Sequence, residues 1–99
     1  MRRLGVAAAL VDGARVAGDV EVDADGRIAA LGVAGAAGTG LAVPGFVDVQ
    51  VNGFGGVDLT AADLDGYRTA RAALARGGAT AFLATIPTAR PERYEPALA

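Results

Sequence analysis

The pattern of apolar and polar residues divides the first part of the chain into short strands. Residues 4–11 are apolar, residues 19–23 alternate polar and apolar, and residues 27–31 are again mostly apolar. Alternation is typical of a half-exposed strand. Asp12-Gly13 and Asp25-Gly26 lie between these segments, and Asp-Gly favours a tight hairpin turn. The pattern therefore predicts a small antiparallel β unit.

A glycine- and alanine-rich segment follows, over residues 32–40. We interpret it as a flexible connector. No Lys-Ser or Lys-Thr pair follows its glycines, which argues against a phosphate-binding nucleotide loop.

The second part of the chain reads as strand, helix, strand. Residues 46–51 (FVDVQV) and 79–86 (ATAFLATI) are strand-like, and the stretch between them has helical periodicity. Thr60 is the predicted helix cap, Asp63 lies three residues later, and Gly77-Gly78 ends the helix. A helix between two strands is what a parallel pair requires. The almost wholly apolar second strand predicts that both of its faces are covered.

The polar side chains that could take part in binding or catalysis lie toward the end of the first of these strands, residues 46–51. Strict alternation would place Asp48, Gln50 and Asn52 on one face and the valines on the opposite face, against helices. In a parallel barrel the carboxyl end of each strand lies at the active-site mouth, where Gln50 and Asn52 would point together. Gly53 then opens the sequence GFGG, which lets backbone approach a ligand closely. The alternative is an ordinary solvated strand face followed by a tight glycine turn.

Composition narrows the function classes. The 99 residues include no His and no Cys, and the net charge is −2. Without cysteine there is no disulfide framework or thiolate metal site. The absence of a basic run argues against nucleic-acid and membrane partners. The start, Met1-Arg2-Arg3 before an apolar run, has features of a signal peptide, but Asp12 interrupts it early. We interpret this N-terminal apolar segment as a buried strand rather than a signal peptide, and we expect a cytoplasmic protein.

Two segments resemble N-acetylglucosamine-6-phosphate deacetylases of the amidohydrolase superfamily. Residues 44–58 (PGFVDVQVNGFGGVD) resemble the family's first barrel strand and loop, and residues 77–89 (GGATAFLATIPTA) resemble its second strand. Residues 11–32 resemble the small β-sandwich that precedes the barrel across the superfamily. The resemblance implies an α/β fold with two parts. Residues 1–43 would belong to the sandwich, and residues 44–99 would begin a (β/α)8 barrel with its first βαβ unit.

The same resemblance implies an activity, the removal of acetate from N-acetylglucosamine 6-phosphate. Most of the superfamily has His-x-His where this chain has Gln50-Val51-Asn52, and neutral amides are poor ligands for a transition metal. The resemblance thus implies a single divalent metal, zinc or similar, bound by later strands of a full-length homodimeric enzyme. Gln50, Asn52 and Gly53 would line its pocket. This chain alone would supply no catalytic residue and no metal ligand, and we expect it to be inactive.

Two alternatives stay open. One is another hydrolase or deaminase of the same superfamily, against which the missing His-x-His counts. The other is a non-catalytic α/β remnant, which the absence of histidine fits. For this chain on its own, two apolar barrel strands with unpaired edges predict self-association.

Overall fold

The computed structural model describes residues 1–35 and 38–99, so part of the predicted 32–40 connector lies outside the described residues. The described chain is mixed α/β, mostly short strands in small sheets with one long helix. It divides into two compact units, Met1–Pro44 and Gly45–Ala99.

The N-terminal unit contains two three-stranded sheets. Its strands are β1 (Arg2–Arg3), β2 (Ala8–Val11), β3 (Ala14–Ala17), β4 (Asp19–Val22), β5 (Ile28–Val33) and β6 (Leu41–Ala42). One sheet has the order β1-β4-β5 and the other β3-β2-β6. A small core of Ala9, Val20 and Val22 forms where their buried side chains meet.

Both predicted Asp-Gly turns join antiparallel strands. The first links β2 to β3, with positive φ at Asp12 (47°) and Gly13 (78°), as a two-residue hairpin turn of this type requires. The second links β4 to β5, where the Asp23 carboxylate accepts the backbone N–H groups of Asp25 and Arg27.

The expectation of an antiparallel unit is wrong at one strand. The strands form two sheets, and in the second sheet β6 runs parallel to β2. The sequence pattern also did not mark β3 or β6 as strands. A four-residue and a two-residue segment are too short to show periodicity, and only their pairing with β2 fixes them as strands.

Asp19 is the polar residue that the strand pattern placed wrongly. Alternation predicted a half-exposed strand, yet Asp19 is 1% exposed. Its Oδ1 accepts the backbone N–H groups of Gly5, Val6 and Val20 at 2.8–3.0 Å. Burial opposes ionisation, but these hydrogen bonds and the positive charge of Arg3 outweigh it and lower the pKa of Asp19. The buried carboxylate therefore ties the segment before β2 to the start of β4.

The C-terminal unit is built on a parallel strand pair with a helix between its strands. Its elements are β7 (Phe46–Val51), β8 (Gly53–Phe54), β9 (Val57–Asp58), α1 (Leu64–Arg76), β10 (Ala79–Ala84), a 3-10 turn (Pro91–Arg93) and α2 (Tyr94–Leu98). Strands β7 and β10 pair in parallel, as the strand-helix-strand order predicted. The core consists of Val51, Leu59, Ala70 and Leu74.

Helix α1 begins three residues later than the sequence predicted. Asp63 is the N-cap: its Oδ1 accepts the Gly66 N–H at 2.8 Å. Thr60 instead lies in the preceding turn, where its N–H donates to the Asp58 carboxylate at 2.9 Å. Both residues are good caps by type, and the turn that follows β9 decides between them. The helix ends as predicted, at Gly77 and at Gly78 with φ +95°.

The pairing of β7 with β10 is irregular at two points. Between Asp48 and Val51 strand β7 has one residue more than β10, since their partners Phe82 and Ala84 are only two apart. A bulge breaks the simple alternation of faces. Consistent with this, Val51 is buried while Val47 and Val49 are 65% and 67% exposed. The predicted packing of all three valines against helices is therefore wrong for this chain.

Candidate functional site

The polar residue with the best-defined position near the end of β7 is Asn52. Its Oδ1 accepts a hydrogen bond from the Thr85 hydroxyl at 2.6 Å. Asn52 directly follows β7, and Thr85 directly follows β10. Because the two strands are parallel, these residues meet at the same, carboxyl-terminal edge of the sheet. Polar groups gathered at this edge are what the strand-helix-strand order leads one to expect of a ligand site.

The backbone holds both partners of this hydrogen bond in place. The Thr85 N–H donates to the Val51 carbonyl at 2.9 Å and continues the parallel ladder beyond β10. The Asn52 carbonyl accepts the N–H of Leu59 at 3.0 Å, and Leu59 is 2% exposed in the core. The side-chain contact thus joins two positions that are already fixed by main-chain pairing.

Gly53 begins a tight hairpin of two short strands. Strands β8 and β9 pair antiparallel through a two-residue turn, in which Gly55 and Gly56 both have positive φ (63° and 80°). A Cβ at residue 53 would clash with the Val57 carbonyl oxygen. These contacts give the glycines of GFGG a structural role, the closing of a hairpin, and they favour the tight-turn interpretation for this segment.

Gln50 and Asp48 are both exposed. The Asp48 carboxylate accepts the backbone N–H of Gln50 at 3.1 Å, so that Asp48 contacts its own strand two residues on. For the Gln50 side chain the structure provides no contact that ties it to Asn52. Of the three predicted pocket residues, Asn52 and Gly53 adjoin one cavity and Gln50 does not line it.

That cavity is a wide, shallow depression of the surface with a volume of about 480 Å³. It is lined by Asn52, Gly53, Phe54, Gly56, Val57, Asp58 and Pro87. Most of the lining is hairpin backbone and apolar side chain, with the Asn52 amide and the Asp58 carboxylate as polar side chains.

The described residues include no cluster of side chains that would hold a metal ion. Within residues 1–35 and 38–99, no three His, Cys, Asp or Glu side chains lie close enough together to hold one. No chemical step is therefore assigned to a metal held by these residues.

Thr85 is the site residue that sequence reasoning missed. The signal was present, because a hydroxyl directly follows an apolar strand at the edge where polar groups of parallel strands meet. The sequence pattern, however, predicts residues 79–86 as one almost wholly apolar strand, in which Thr85 does not stand out as a site residue.

Comparison with protein-family models, with curated proteins and with solved structures found no match. Among the helices of the described residues, none has the length and apolar character needed to cross a membrane.

Proposed function

We propose that this chain forms the first strand-helix-strand unit of an amidohydrolase barrel that removes acetate from N-acetylglucosamine 6-phosphate. The observation that carries the proposal is the Asn52–Thr85 hydrogen bond across the carboxyl ends of two parallel strands. It gathers polar side chains at the edge where barrel enzymes bind their substrates. The resemblance of residues 44–58 and 77–89 to the deacetylases supplies the reaction.

The exposed apolar surface of the parallel pair supports the barrel part of this proposal. Phe46 and Leu83 are 70% and 59% exposed, and Val47 and Val49 are similarly uncovered. Parallel strands normally have both faces covered and are apolar for that reason. In a barrel, further strands would pair with the outer edges of β7 and β10, and further helices and inward side chains would cover their faces.

In such an enzyme, this chain's own residues would bind the substrate and orient it. With Oδ1 engaged by Thr85, the Asn52 amide keeps its two Nδ2–H donors for an oxygen of the substrate or of a bound water. Gln50 lies two residues earlier and would provide a second amide. The divalent metal of the proposed enzyme would polarise the acetamide carbonyl, and its ligands would come from residues outside this chain.

The test is acetate release from N-acetylglucosamine 6-phosphate by the protein encoded in the complete reading frame, with metal analysis beside it. The expected result is turnover by that protein and none by the 99-residue chain alone. Asn52→Ala and Gln50→Ala should each lower turnover by about 10–100-fold while the metal content stays unchanged. This is the effect expected of residues that hydrogen-bond to the ligands of a metal without binding the metal themselves.

The matched control is Thr69→Ala, at an exposed position on α1 that does not line the cavity beside Asn52. It should leave turnover unchanged. A folded full-length protein without acetate release, or Asn52 and Gln50 variants with normal kinetics, would refute the proposal. Loss of the metal in Asn52→Ala would show instead that Asn52 is a ligand.

A further inference from the structure

We infer that Thr85 is a positioning residue, which fixes the orientation of the Asn52 carboxamide and presents its Nδ2 donors to an acceptor oxygen of the ligand. This inference rests on the proposed function for the identity of the ligand. The geometry of the pair does not depend on it.

The chemistry of the two groups sets the orientation. An asparagine amide has an acceptor oxygen at one end and an NH2 donor at the other, and rotation by half a turn exchanges them. At 2.6 Å the contact between the Thr85 Oγ1 and the Asn52 Oδ1 has the length of an O–H···O hydrogen bond. The hydroxyl donates, the amide oxygen accepts, and the NH2 group faces away from Thr85.

The backbone limits how far either residue adjusts. Thr85 is held to Val51 and Asn52 to Leu59 by main-chain hydrogen bonds of 2.9 and 3.0 Å. A β-branched side chain such as threonine is also stiff about χ1. The hydroxyl therefore meets the amide at a fixed place, and an asparagine that would otherwise sample two orientations keeps one.

The ligand chemistry follows from this orientation. A fixed NH2 group selects a carbonyl, hydroxyl or phosphate oxygen and disfavours a cation or a donor group. The oxygen of an acetamide group or of a sugar hydroxyl is an acceptor of this kind. Rotation of the amide would place its oxygen toward the ligand and reverse that preference.

The experiment follows the side-chain amide of Asn52 by ¹⁵N–¹H NMR in this chain. Thr85→Val keeps the branched shape but removes the hydroxyl, and should move the Asn52 Nδ2 resonances. Thr85→Ser keeps the hydroxyl and should leave them close to the wild type. Thr80→Val is the matched control: Thr80 also donates to the partner strand, to the Phe46 carbonyl at 3.4 Å, but at the opposite end of the pair. It should leave Asn52 unchanged.

Two results would overturn the inference. One is an Asn52 side-chain resonance that is the same in Thr85→Val as in the wild type. The other is an Asn52 NH2 group protected from solvent exchange in the wild type and unprotected in Thr85→Val, because Nδ2 rather than Oδ1 would then face Thr85. If Thr85→Val does not fold, Thr85→Ala provides the same comparison.

The NMR result for the Thr85 variants can be judged separately from the acetate-release assay that tests the proposed function. Resonances that move as expected in Thr85→Val support the positioning role whatever the enzyme's substrate. Absence of acetate release counts against the proposed function alone.

Discussion

Asp19 shows how backbone contacts decide the place of a single side chain. By residue type and by alternation it belongs on a solvated strand face, yet it is buried because backbone N–H groups surround its carboxylate. A buried carboxylate that accepts several N–H bonds is stabilised in its charged form. Its ionisation is therefore linked to the folding of the N-terminal unit.

This linkage predicts that the chain loses stability in acid. The folded-state pKa of Asp19 lies below its ordinary value. The stabilisation is therefore complete above the unfolded-state pKa and is lost as the pH falls through the folded-state pKa. Urea denaturation between pH 7 and pH 3 should show this decline, and Asp19→Asn should be less stable at pH 7 and less sensitive to acid. Asp25→Asn, at an exposed turn, is the control; an equal change in it would contradict the prediction.

At the scale of the element, helix α1 shows that a favourable residue type does not fix a boundary. Thr60 and Asp63 are both favourable N-cap residues, and the sequence pattern predicts Thr60. In the structure the Asp58 carboxylate accepts the N–H of Thr60 and the Asp58 carbonyl accepts the N–H of Ala61, so Thr60 lies in a turn before the helix begins. The Asp63 side chain then caps the helix by accepting the N–H of Gly66. Asp65 lies in the first turn, at the positive end of the helix dipole.

Substitution at these two positions separates the alternatives. Asp63→Ala removes the cap and should lower the free energy of unfolding by about 0.5–2 kcal/mol. Thr60→Ala should change it by less than about 0.5 kcal/mol, as expected away from a cap or core. Urea denaturation monitored by circular dichroism measures both values. A larger effect for Thr60→Ala would mean that the helix begins where the sequence pattern placed it.

At the scale of the whole molecule, the C-terminal unit exposes apolar strand residues of a kind that parallel sheets normally cover. In the C-terminal unit, Phe46, Val47, Val49 and Leu83 are each more than half exposed. Strands β7 and β10 pair only with each other in the described chain, which leaves an outer edge on each. Open edges and uncovered apolar faces are sites of association.

The chain should accordingly self-associate when studied alone. Light scattering at increasing concentration should give a mass above that of the 9.8 kDa monomer. Val49→Lys places a charge on the exposed strand and should shift the mass toward the monomer. Thr69→Lys adds the same charge on the exposed surface of α1 and should not. A monomeric wild type, or equal effects of the two substitutions, would contradict this prediction.

The sequence by itself determined those features that depend on neighbouring residues. The two Asp-Gly turns, the end of α1 at paired glycines and the strand-helix-strand order all follow from local propensity and short-range pattern. The parallel pairing of β7 with β10 follows from that order, because a helical connection carries the chain back to the same end of the sheet.

Tertiary structure alone decided the features that need contacts between distant residues. The burial of Asp19 depends on the N–H groups of Gly5 and Val6, more than ten positions earlier. The bulge between Asp48 and Val51 arises from the register with β10. The partner of Asn52 is Thr85, thirty-three residues later in the chain. Local pattern does not contain such pairings, since they form only when main-chain hydrogen bonds bring separate strands together.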